Sequence, residues 1–149
     1  MYGKAAYWLQ GRRGAAAPAM EAFMPLIRIS LRTGKSAEYR RAIADGVYEA
    51  LRETFNVPEH DFFATIAEHE PQDFMFDRTY FNIERSDDFV IIEMTVSNTR
   101  TLEQKKALYR RLVERLAKNP GLRPQDIFIN LVEVVKENWS FGFGQAQYA

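Results

Sequence analysis

Apolar positions along the chain alternate between a period near two and a period near four, and the switch occurs twice in the same order. Leu26, Ile27, Ile29 and Leu31 suit a strand that opens at Pro25 and is broken by Thr33-Gly34-Lys35. Tyr39, Ile43, Val47, Leu51 and Phe55 then recur at steps of four, joined by Ala42, Gly46 and Ala50, with Arg40, Arg41, Asp45, Glu49, Arg52 and Glu53 on the other faces. This predicts an amphipathic helix with one buried stripe, N-capped by Ser36, with Glu38 in the first turn where the helix dipole favours an anion. Pro58 prevents a longer helix, and Asp61 precedes a second strand, Phe62 to Ala67. Phe74-Met75-Phe76 and Tyr80-Phe81-Asn82-Ile83 flank Asp77-Arg78-Thr79 and predict a short β excursion, while Arg85-Ser86-Asp87-Asp88 reads as a turn.

The second round begins at Phe89 to Val96, nearly continuous in apolar residues and so expected at the centre of a sheet. Thr101-Leu102-Glu103-Gln104 fits a capping box. The helix after it sets Leu108, Leu112 and Leu116 on one face, beside Tyr109, Val113 and Ala117, and ends at Asn119-Pro120-Gly121. Ile127 to Val135 is the last long strand, and Trp139-Ser140-Phe141-Gly142-Phe143-Gly144 predicts a C-terminal hairpin tail. The halves match as copies 65 positions apart: Ser36-Ala37-Glu38 answers Thr101-Leu102-Glu103, and Glu70 to Phe74 answers Val135 to Trp139. Each half is β-α-β, and a right-handed crossover makes its two strands parallel. The expected fold is therefore α+β, a four-stranded sheet with both helices on one face, formed by a single domain, 25–149, with halves 25–86 and 87–149. Val90, Ile92 and Met94 alternate against Ile91 and Glu93, so the sheet's other face stays bare and argues for an oligomer.

Composition narrows the function classes. The chain has 149 residues, 46% hydrophobic and 27% charged, with a formal net charge of zero. Nothing in that balance favours nucleic acid or an anionic membrane surface, and no apolar run approaches the ~20 residues of a membrane span. There is no cysteine, hence no thiolate nucleophile and no Cys-based metal site. His60-Asp61 and Glu68-His69-Glu70 read as solvated polar edges before they read as metal ligands. Residues 1–24 differ from the rest: the first 20 lack acidic residues, Arg12-Arg13 stands among small residues, and no period is sustained. They lack the apolar region of a secretory signal and only weakly resemble a transit peptide, so the expected location is cytoplasmic. Met20-Glu21-Ala22 can be encoded by a purine-rich, ribosome-binding-like sequence just before Met24. We therefore read this extension as an over-extended start or a leader, disordered, in preference to a working segment.

That reading changes the chemistry of one residue. A proline inside a chain is an amide, tolerated at the first position of a strand because it has no N–H to pair. If the working chain starts at Pro25, the same nitrogen is a secondary amine. An α-amino group titrates near ~8 in models, and apolar or cationic neighbours disfavour its protonated form. A base poised near neutrality is what moving a proton beside a carbonyl requires.

A strand beginning Met24-Pro25-Leu26-Ile27, a duplicated β-α-β unit and the tail Asn138-Trp139-Ser140-Phe141-Gly142-Phe143-Gly144-Gln145-Ala146-Gln147-Tyr148 resemble the tautomerase superfamily of amino-terminal-proline enzymes. Within it, the tail is most similar to the malonate semialdehyde decarboxylase-like branch. The resemblance runs from Pro25 to Tyr148 and implies a homotrimer, no cofactor, no metal, and a small-molecule carboxylate as substrate. It implies Pro25 as the catalytic proline, Asp61 as the acid that handles a water or a substrate proton, and Arg100 as the grip on the substrate carboxylate. Trp139 and Phe141 match its aromatic wall, with Tyr148 ending the motif, and Asn98 stands where the decarboxylase has a second arginine. Taken singly, Asp61 is a turn residue, Arg100 a solvated charge and Trp139 a core or subunit-contact aromatic. Together they imply keto–enol tautomerisation of a 2-oxo acid. The alternatives are a malonate semialdehyde-type decarboxylase or hydratase, and a non-catalytic trimeric binding protein if residues 1–24 are retained.

Overall fold

The computed structural model describes residues 24–149, so the expected extension lies, but for Met24, outside the described residues. The chain runs β1 (Leu26–Arg32), α1 (Ala37–Phe55), β2 (Phe63–His69), β3 (Val90–Ser97), α2 (Leu102–Lys118) and β4 (Ile127–Val134), with short 3-10 turns between. The sheet order is β2-β1-β3-β4; β1 pairs parallel with β2, β3 parallel with β4, and β1 antiparallel with β3. The duplication is therefore real, and the turns Pro71–Asp73 and Lys136–Asn138 occupy equivalent places after β2 and β4.

Local chemistry sets the element ends as the sequence anticipates. The Ser36 hydroxyl accepts from the Tyr39 amide at 3.1 Å, and Thr101 and Gln104 form the reciprocal capping box. Asn56 adopts the left-handed conformation that closes α1. Both helices pack on one face of the sheet: Ile27, Ile29, Ile92 and Met94 are fully or almost fully buried against Ile43, Val47, Leu51, Leu108, Leu112 and Leu116. At Gly46 the helices pack tightly, since a Cβ there would lie 2.8 Å from Leu116 Cδ2. The other sheet face carries the cross-strand pair Arg28–Glu93 at 3.1 Å, with Phe63, Phe128 and Val132 exposed around it.

Two expected elements are absent. Residues 74–83 form no strand: Phe81 and Asn82 sit at φ of 60° and 54°, and the Arg85 guanidinium donates to the carbonyls of Tyr80 and Ile83 at 2.9 and 3.2 Å. A side chain, not a ladder, satisfies that backbone. The tail is not a hairpin either. Gly142, Phe143 and Gly144 all have positive φ, and the Gln147 amide accepts from the Phe141 N–H at 3.0 Å and donates to the Gly142 carbonyl at 2.9 Å, folding the tail as a compact loop. The second strand, expected at Phe62 to Ala67, runs to His69, where the Thr33 amide donates to the His69 carbonyl at 2.9 Å.

Candidate active site

Topology alone gathers the candidate residues. Because β3 and β4 run against β1 and β2, the starts of β1 and β2 and the ends of β3 and β4 share one end of the sheet. Leu26 pairs with Phe63 on one side and Thr95 on the other, and Ser97 pairs with Val134. Pro25, Asp61, Asn98, Arg100 and Trp139 all lie within a few residues of those pairs.

Pro25 is buried at the mouth of β1. Met24, directly before it, lines a cleft of about 480 Å³ together with Lys136, Phe141, Gln147 and Tyr148. The tail supplies the aromatic wall: Trp139 stacks on Phe141 with centroids 5.7 Å apart, and Phe141 meets Tyr148 edge-on at 4.7 Å. The Trp139 indole N–H is buried and has no hydrogen-bond partner.

Asp61 is held by the loop between α1 and β2. The Tyr48 hydroxyl donates to the Pro58 carbonyl at 2.8 Å, and its ring stacks on Phe62 at 4.7 Å. Burial pushes the Asp61 carboxyl above the ordinary carboxylate range, and its Oδ1 is buried without a partner. The duplication makes this informative. Asp126 is the equivalent residue of the second half, fully buried, and it accepts from the Ser86 N–H and hydroxyl at 2.7 Å each. One copy of the position is satisfied by the fold, and the other leaves Oδ1 without a protein partner. Ser97, at the end of β3, likewise has a buried hydroxyl without a partner.

Arg100 reaches this end of the sheet with its guanidinium turned toward α1. Its Nη2 donates to the Phe55 carbonyl at 2.8 Å, its Nη1 bonds the Thr99 hydroxyl, and the group lies 5.0 Å from the Phe55 ring centroid. The cation thus serves the C-terminal, negative end of the α1 dipole, which answers why an arginine stands just before α2. Asn98 is exposed, its backbone N–H donating to the Val134 carbonyl at 3.0 Å. So Phe141 and Tyr148 line the cleft and Trp139 backs Phe141, while Asp61, Asn98 and Arg100 share the sheet end without lining that cleft. Sequence reasoning missed Lys136, Gln147 and the orphaned Ser97 hydroxyl. The 65-residue repeat places Lys136 just past β4, and strand-end position was the available signal.

His69 stacks on Phe74, and among the described residues no three His, Asp or Glu side chains are grouped to hold a metal. Among the same residues no helix is long and apolar enough to cross a membrane.

A family model described as "Tautomerase enzyme" matches residues 61–142, and a second with the same description matches residues 25–83, beginning at Pro25. The chain is 40% identical to the probable tautomerase YusQ of Bacillus subtilis (strain 168), over 83% of this chain and 98% of that protein. Among solved structures, FG41 malonate semialdehyde decarboxylase inhibited by 3-bromopropiolate is 40% identical with a TM-score of 0.77, covering 83% of this chain and 93% of that one. Another malonate semialdehyde decarboxylase, described with decarboxylase and hydratase activities, is 29% identical with a TM-score of 0.77, over 83% and 95%. The chain belongs to the tautomerase family of enzymes, on its malonate semialdehyde decarboxylase-like branch.

Proposed function

We propose that the chain is a cofactor-free tautomerase of a small 2-oxo acid, with the amine of Pro25 as base in protein that begins at that residue. The observation that supports this is the position of Met24, which lines the aromatic-walled cleft directly before Pro25. In protein beginning at Pro25, Met24 is gone from that lining and the proline nitrogen is a secondary amine in place of an amide. The amine takes the enol O–H proton as the C2–O bond becomes a carbonyl. Asp61, whose carboxyl burial keeps toward its protonated form, delivers a proton to C3, and a water returns the proton from proline to aspartate. Arg100 holds the carboxylate, since a guanidinium has donors enough to keep the Phe55 carbonyl and still fork onto an anion. The exposed Phe63, Phe128 and Val132 support packing of this sheet face in a homotrimer.

A second reading, decarboxylation of a 3-oxo acid, is favoured by the 40% identity to a malonate semialdehyde decarboxylase. The experiment that tests both follows ketonisation of phenylenolpyruvate and CO₂ release from malonate semialdehyde, in protein beginning at Pro25 and in the full chain. Ketonisation in the short form, much reduced in the long form, is expected. Equal rates in the two forms contradict the proposal, and CO₂ release without ketonisation favours the second reading.

A further inference from the structure

Phe143 is fully exposed on the tail loop whose Phe141, Gln147 and Tyr148 wall the cleft beside Met24. It sits at φ 58°, in the left-handed region that a bulky side chain avoids, between Gly142 and Gly144 at 143° and 66°. The Gln147 side chain accepts from the Phe141 N–H and donates to the Gly142 carbonyl, and the Gln145 N–H donates to that same carbonyl at 3.3 Å. These bonds fix the loop. An aromatic ring held out to water by a strained, hydrogen-bonded loop gains nothing within its own chain.

A cleft suited to such a ring lies at the other end of the sheet. It measures about 220 Å³ and is lined by Met75, Phe76, Tyr80, Arg85, Phe89 and Phe128. Its walls are set in place: Phe76 stacks on Phe89 with centroids 4.4 Å apart, and Phe89 meets Phe128 edge-on at 6.0 Å. Arg85, which pins the backbone of Tyr80 and Ile83, lies 5.7 Å from the Phe89 centroid. Met75, Tyr80 and Phe128 are all exposed, so the cleft opens outward. A cavity of about 150 Å³ holds a benzene ring, so this one admits a phenyl side chain. At about 3.3 Å per residue, the run from Phe128 to Val134 puts it about 20 Å from where the tail begins. In its own chain Phe143 leaves that cleft unfilled.

We infer that Phe143 of one copy docks in the Phe128 cleft of the next, and that this contact braces the aromatic wall of the first copy's own site. Knob and cleft stand at opposite ends of one sheet, so the contact is head-to-tail and repeats from copy to copy until a ring closes. Phe63 and Val132 are exposed on the same sheet face as Phe128, so the docked ring continues the apolar surface assigned to the homotrimer. The inference goes beyond the tautomerase reading and rests only on its homotrimer, whichever residue the working chain begins at. Phe141, in the wall, and Phe143, in the neighbour, belong to one closed loop, so seating the second steadies the first.

The test is sedimentation equilibrium of the full chain carrying Trp8→Phe, which leaves Trp139, stacked on Phe141, as the one tryptophan. Phe143→Asp is expected to raise the dissociation constant per contact about thirtyfold, as losing a buried aromatic anchor does, and Phe143→Leu to change it less than about threefold. Phe143 is fully exposed, so neither variant disturbs the fold of a single chain. Phe128→Asp should match Phe143→Asp, and the two together should cost little more than either alone, because both break one contact. Trp139 emission should shift to the red as the copies separate. Unchanged assembly in Phe143→Asp, losses that add in the double variant, or Trp139 emission that stays fixed through dissociation would overturn the inference alone. A wild-type chain that sediments as a monomer would overturn the homotrimer with it. Phenylenolpyruvate ketonisation, measured on protein beginning at Pro25, judges the tautomerase reading separately.

Discussion

Replacing Arg100 by alanine removes a contact that holds the end of α1 together with the proposed carboxylate grip, and the two effects differ enough to be read separately. In the structure the guanidinium donates to the Phe55 carbonyl at 2.8 Å, at a partly buried site, and lies over the Phe55 ring. A hydrogen bond to a charged group, a partly exposed cation–π contact and a charge at a helix C-terminus together make about 2 kcal/mol. In urea, at a slope of about 2 kcal/mol/M, Arg100→Ala should lower the unfolding midpoint by about 1 M with the slope unchanged. Arg100→Lys keeps the charge at the end of α1 but loses the fork, and should lose about half as much. Both variants are measured at one fixed protomer concentration, because association makes the midpoint concentration-dependent. On the catalytic side, both should raise KM for a 2-oxo acid, and alanine should also lower kcat if the guanidinium stabilises the enolate. A stability change under about 0.5 kcal/mol in Arg100→Ala would refute the capping role. An unchanged KM would refute the carboxylate grip.

Three further outcomes follow from particular contacts. Burial raises the folded Asp61 carboxyl above its ordinary value of 3.8, so the native state holds this proton more tightly than the unfolded chain. Stability from this group is therefore lost as pH rises from about that value through the raised one; Asp61→Asn should remove this slope, gain stability at pH 7 and lose at least about a hundredfold in ketonisation. Glu53 shows the opposite sign, because bonds from Arg111 and Arg115 hold its carboxyl at about 2, against an ordinary 4.5, so its stabilisation is present above 4.5 and lost as pH falls toward 2. With a third of that side chain in water, Glu53→Gln should cost only about 1 kcal/mol at pH 7, measured by urea melts across that window. Gly46→Ala should destabilise by about 1 kcal/mol despite its better helix propensity, because the new Cβ meets the fully buried Leu116; the loss should shrink in a Leu116→Ala background.

The fold was legible where local rules and burial agree. Ser36 and the Thr101–Gln104 box mark helix starts, the four-residue stripes face the sheet, and the repeat fixes the parallel pairs within each half. Residues 74–83 misled because aromatic, β-prone residues such as Phe81 sit in left-handed turns held by Arg85, a contact no pattern encodes. The tail misled similarly, since Gln147 closes it onto Phe141 and Gly142. At the site, Pro25 and the aromatic tail were visible as motifs. The unpartnered Oδ1 of Asp61 emerges only from the packed structure, where its repeat counterpart Asp126 is held by Ser86. Lys136 was hidden because, in sequence, a lysine after a strand is an ordinary surface charge, and only the packed tail turns it toward a cleft.

The central claim is that the nitrogen of Pro25 is the base, and covalent labelling tests it most directly. Protein beginning at Pro25 is treated with 3-bromopropiolate, and the adduct is mapped by peptide mass spectrometry alongside residual phenylenolpyruvate ketonisation. The account predicts one adduct per chain on Pro25, loss of activity in proportion to labelling, protection by substrate, and no Pro25 adduct in the full chain, where that nitrogen is an amide. An adduct on Lys136 that tracks the lost activity while Pro25 stays unmodified, or full activity after complete Pro25 labelling, would contradict it.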